Sequence, residues 1–146
     1  MNSFEIIAAT NVTLTPWLDA LRLSLHILSA AIWVGGQITL AGLLPTIRPL
    51  GPDATKKLAN QFAKLTWPAY FVLVATGFWN LAALNPNHAT TAWNIVLGVK
   101  IFLALLSGLS AFLHMKSTSK LGLALWGSIA GISSVATLIL GIFISG

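Results

Sequence analysis

Apolar residues fill four stretches of the chain, 21–44, 67–84, 93–115 and 121–144, and most polar residues fall between them. Each stretch is close to or above the roughly 20 residues with which a helix crosses a hydrocarbon layer about 30 Å thick. With their flanks they predict helices over about 17–45, 66–84, 93–115 and 121–145. The connections NPNHATT (85–91) and KSTSK (116–120) are short, which makes consecutive helices antiparallel neighbours. The expected fold is a single all-α integral membrane domain over 1–146, a four-helix antiparallel transmembrane bundle running up, down, up and down.

The longer first connection has a pattern of its own. Leu58, Phe62 and Leu65 recur on one helical face with Lys56, Lys57 and Lys64 around it, so residues 53–65 predict an amphipathic helix lying at the membrane interface. At the other end of the first helix, Thr15 before Pro16 predicts an N-cap followed by proline at the first helical position, with Trp17 as an interfacial anchor. The N-terminal residues lack the basic segment of a signal peptide and are expected to be retained.

Composition agrees with this pattern. Apolar residues make up 56% of the chain and charged ones only 8%, with a mean hydropathy of +0.85. That is too little charge to solvate a water-facing surface. Cysteine is absent, which removes disulfides, thiolate metal sites and iron–sulfur clusters. A net charge of +5 would suggest nucleic acid in a soluble protein, but here the positions of the cations matter more than their sum. Arg48, Lys56, Lys57, Lys64, Lys116 and Lys120 all fall on the first and third connections, whereas the opposite side has Glu5, Asp19, Arg22 and an uncharged second connection. The positive-inside rule then puts both termini outside and the basic loops in the cytoplasm, in a multi-pass protein of the inner (plasma) membrane. The bilayer is the expected partner, and no nucleic acid is.

Ionisable groups inside a membrane are costly, which makes them the first candidates for function. No Asp or Glu lies within a predicted span, and this counts against a carboxylate proton relay or cation pump. What remains is Arg22, His26, Lys100 and His114. With helix midpoints near Trp33 and Ala104, His26 lies about 10 Å and Lys100 about 6 Å to the outer side of the midplane, while His114 lies about 15 Å to the inner side. His26 and His114 are therefore roughly 25 Å apart along the membrane normal and cannot both ligate one haem. Arg22, His26, Ser29 and Trp33 form one stripe of helix 1, and an antiparallel helix 2 brings Trp79 and Asn80 to the same outer depth.

One imidazole, two cations and aromatic rings meet the needs of a b-type haem, with iron on His26 and propionates near Arg22 and Lys100. Copper has only imidazoles and two methionines to use. His114 beside Met115 is a weak, separate copper candidate on the inner side, and His88 with the N-terminal amine another on the outer side. The plainer alternative is that His26 hydrogen-bonds a neighbouring helix and Lys100 reaches toward the membrane surface, with no ligand at either. The glycines at 35, 36, 77, 98, 108, 127 and 131 are expected to allow close helix approach.

The stretch LHILSAAIWVGGQITLAGLLP resembles the opening helix of copper resistance protein D (CopD) domains, with its Leu-His, small residues and Trp-x-Gly-Gly. LTWPAYFVLVATGFWNLAAL is similar to that family's second helix and NIVLGVKIFLALLSGLSAFLH, with one lysine in an apolar run, to its third. His26, Trp33, Gly35, Gly36 and Lys100 match the pattern. The resemblance implies a membrane protein of copper tolerance or uptake that works with a periplasmic copper-binding partner. A more distant likeness, through Leu25-His26-Ile27, Trp33-x-Gly35 and Val99-Lys100, is to the small four-helix bacterial protoporphyrinogen oxidase (HemJ-like), which binds b-type haem. Three functions stay open: a protein holding haem b or copper at His26, a non-catalytic accessory subunit of a larger membrane complex, and a porphyrinogen oxidase.

Overall fold

The computed structural model describes residues 14–84 and 89–144. His88, Glu5 and the N-terminal amine lie outside them. Every element among the described residues is helical: α1 (Trp17–Ala30), a π-helical segment (Ala31–Gly35), α2 (Gly36–Ile47), a 3-10 turn (Arg48–Leu50), α3 (Pro52–Ala82), α4 (Thr91–Lys116) and α5 (Lys120–Phe143). Three continuous rods, Trp17–Leu50, Thr91–Lys116 and Lys120–Phe143, are long and apolar enough to cross a membrane. α3, where the pattern predicts the fourth crossing, is not among them. Its first half holds Lys56, Lys57 and Lys64, and its second half is diluted by Pro68, Tyr70, Thr76 and Asn80.

Two boundaries differ from the sequence expectation. Residues 53–65 and 66–84 are joined in one 31-residue helix that passes through Pro68. A proline removes one backbone donor, and the helix continues on both sides of it. Thr15 does not cap α1: Pro16 occupies the N-cap position without a side-chain bond, and its carbonyl accepts from the Ala20 amide at 2.9 Å. Elsewhere the termini follow ordinary capping chemistry, with Thr90 accepting from the Trp93 amide and Ser119 from the Gly122 amide. The turn into α3 needs Gly51, whose φ of +99° is one that side-chain-bearing residues rarely adopt.

Helix directions follow from cross-contacts. Arg22 meets Asn80 and His26 meets Thr76, so α1 and α3 are antiparallel. Trp93 meets Ile144, Ser107 meets Ala130 and His114 meets Leu123, so α4 and α5 are antiparallel as well. Tyr70 to Ala104 and Trp67 to Met115 tie α3 antiparallel to α4. α1 and α4 consequently run the same way, and the basic residues of both connections gather at one end.

The interior is small and polar where a soluble core would be large and apolar. Ser29, Thr66, Thr76, Ser107, Ser110, Ser133 and Ser134 are buried, while leucines, isoleucines and phenylalanines cover the outside. Lipid is the solvent that accommodates this inversion, because small residues let helix backbones approach and apolar side chains face hydrocarbon. The only large buried side chains gather at mid-height: Trp33, Val34 and Tyr70, with Trp67 packed against them. Trp33 and Tyr70 lie 4.5 Å apart between ring centroids, and Trp67 meets Trp33 edge-on at 5.7 Å. Trp33 Nε1 donates to Ser107 Oγ at 3.0 Å, and Ser107 donates to the Ala130 carbonyl at 3.1 Å, so one chain of bonds joins the first rod, α4 and α5. Gly108 completes the arrangement, since a Cβ there would overlap the Tyr70 hydroxyl.

Candidate functional site

On the side of the aromatic cluster away from the basic connections, α1 and α3 share a run of polar contacts. Arg22 donates from Nη1 to Asn80 Oδ1 at 2.8 Å and from Nη2 to Asp19 Oδ1 at 2.9 Å. The Asp19 pair is also the only ion pair among the described residues. One turn further along α1, His26 Nδ1 lies 2.9 Å from Thr76 Oγ1. The Thr76 hydroxyl has one proton, and it points back along α3, 2.7 Å from the Val72 carbonyl. The tautomer in which His26 donates from Nδ1 to Thr76, while Thr76 donates to the Val72 carbonyl, satisfies all three groups and would leave the lone pair on Nε2. The absence of a side chain at Gly77 keeps the ring edge clear: a Cβ there would stand 3.6 Å from His26 Cε1.

Lys100 belongs to the same level. It lies seven residues before Ser107 (107 − 100), as His26 lies seven before Trp33 (33 − 26), and Trp33 and Ser107 are bonded on helices of equal direction. The lysine ammonium has no ion-pair partner among the described residues and lies against Gly141, where a Cβ would be 3.3 Å from Nζ.

The other candidates are placed differently. Trp33 is 3% exposed and its indole nitrogen is engaged by Ser107, so it lies in the mid-height cluster. Trp33 lies within the π-helical segment Ala31–Gly35, seven residues beyond His26. Trp79, next to Asn80 in the chain, is 43% exposed on the outside of α3. His114 sits at the basic end, donating from Nδ1 to the Leu123 carbonyl at 2.8 Å, with Gly127 giving it room. Its neighbour Met115 accepts at Sδ from Trp67 Nε1 at 3.1 Å. Counting seven residues to either side of the Trp33–Ser107 bond puts His26 and His114 about 20 Å apart along the helix axes.

Two partners were missing from the sequence picture, Thr76 for His26 and Asp19 for Arg22. Both had a signal. Asp19 is three residues before Arg22 on one helical face, and Thr76 is four before Asn80, the spacing that an antiparallel partner of Arg22 and His26 must show. Among the described residues no three or more His, Asp or Glu side chains converge as a metal cluster.

No family model matches the chain, and no curated protein or solved structure matches it either.

Proposed function

We propose that the chain is a four-span integral membrane protein of the copper resistance D type that holds a b-type haem at His26, in the outer half of the membrane. α3 serves as the fourth crossing. Its 31 residues extend about 46 Å, and its polar groups Thr76 and Asn80 are bonded to α1 rather than turned toward lipid. The end that carries Arg48, Lys56, Lys57, Lys116 and Lys120 faces the cytoplasm by the positive-inside rule.

The observation that supports the haem reading best is the contact of His26 with Thr76. With Nδ1–H donating to Thr76, the ring would be oriented with Nε2 free to ligate, the arrangement by which neighbouring groups commonly fix a metal-binding histidine. Lys100 supplies an unpaired cation at the same level for a propionate. Arg22 is held by Asp19 and Asn80 and fixes α1 against α3. A bound haem would supply a one-electron redox centre and four nitrogen donors of its own. A bare copper ion would find only one imidazole here, which suits it less.

The optical spectrum of the protein purified in detergent tests this. A Soret band that shifts on reduction with dithionite and is lost in His26→Ala is the expected result. A colourless preparation rejects haem, and if it also co-purifies with other membrane subunits, the accessory role takes its place.

A further inference from the structure

Below the aromatic cluster, toward the basic end, α2 and the first half of α3 enclose an open apolar groove of about 430 Å³. Leu40 and Leu43 line it from α2, and Leu58, Phe62 and Leu65 from α3. At its upper end the helices close, because Gly36 lets the Phe62 ring lie against α2, where a Cβ would come within 3.0 Å of it. Its polar lining residues are Thr39 and Thr66, whose hydroxyls donate to backbone carbonyls of their own helices, and Gln61.

The order of residues around α3 is informative. At 100° per residue, Leu58, Phe62 and Leu65 cluster in the groove, Gln61 stands at its border, and Lys57 and Lys64 follow next to Gln61 on the outer side. Crossing that face one meets hydrocarbon, then an amide, then two cations. Both lysines are exposed and neither has an ion-pair partner among the described residues. Arg48, exposed in the turn that joins α2 to α3, adds a third unpaired cation at the groove's open end. A phospholipid presents the complementary order: acyl chain, ester carbonyl, phosphate.

We infer that this groove is a binding site for one anionic phospholipid, with an acyl chain between α2 and α3, the ester region at Gln61 and the phosphate at Lys57 and Lys64. Basic clusters beside membrane helices on the cytoplasmic side select anionic head groups in this way. The site depends on the chain being in a membrane and is independent of haem at His26.

Native mass spectrometry of the full chain, released from micelles containing equal amounts of dioleoyl phosphatidylglycerol and dioleoyl phosphatidylcholine, tests it. The expected result is one retained phosphatidylglycerol in clear preference to phosphatidylcholine. K57Q/K64Q should weaken that preference roughly tenfold or more. Leu58→Trp, which fills the groove and keeps the lysines, should also remove it, and glycerol phosphate, a head group without chains, should not compete. Equal retention of the two lipids, or a preference unchanged in K57Q/K64Q, overturns the proposal. A preference that survives Leu58→Trp or yields to glycerol phosphate also overturns it, since the basic patch alone would then be responsible.

Discussion

His26 and Lys100 stand at one level of the bundle, each seven residues before a member of the Trp33–Ser107 hydrogen bond. One is the ligand proposed above, bonded to Thr76, and the other is a cation with no described counter-charge. Their roles separate by mutation.

Thr76→Val keeps the shape of the side chain and removes the acceptor that fixes the His26 ring. Haem titrated into the detergent-solubilised variant should bind roughly 10- to 100-fold more weakly, the usual effect of losing a group that orients a metal-bound histidine. His114→Ala, about 20 Å away, should leave the titration unchanged. Equal effects at the two positions would remove His26 from the ligand role.

Lys100→Met should move two readouts in opposite directions. An uncompensated ammonium among apolar helices destabilises the fold, so the thermal midpoint of the haem-free protein should rise by a few degrees. Haem affinity should fall at the same time. If neither changes, the lysine only reaches toward lipid head groups.

Trp33→Phe and Ser107→Ala should be unequal. Removing the indole N–H spares the Ser107 hydroxyl, which still donates to Ala130, whereas removing the hydroxyl leaves a buried N–H without an acceptor. Ser107→Ala should therefore cost about 1–3 kcal/mol. The double variant should be less destabilised than the sum of the two single variants, measured by reversible unfolding in mixed micelles.

Gly108→Ala and Gly98→Ala separate close packing from mere composition. At Gly108 a methyl would collide with the Tyr70 hydroxyl, and a loss of about 1–3 kcal/mol is expected from overpacking. At Gly98 nothing lies within 4 Å, and the same substitution should be neutral or slightly stabilising. Thermal melts of the two variants side by side check the contrast.

Much of this was legible from residue spacing, and the limits have physical causes. Apolar runs located the helices, and a constant rise per residue was enough to bring Lys100 to the level of His26 and to keep His114 apart. Stripe counting assumes 100° per residue and does not foresee the π turn at Ala31–Gly35, within which Trp33 lies. The break between residues 65 and 66 came from the change from an amphipathic to an apolar pattern, yet the helix runs on through it and through Pro68. The partner of His26 could not have been read from its own helix, because it is a hydroxyl fifty residues away.

The mid-height cluster of Trp33, Trp67 and Tyr70 has a consequence for traffic through the protein. Its rings fill the space among the first rod, α3 and α4, and the hydroxyl in their midst, Ser107, is already spent on two bonds. A group held at the site proposed at His26 would therefore meet packed rings, not open space, on the side toward the basic end.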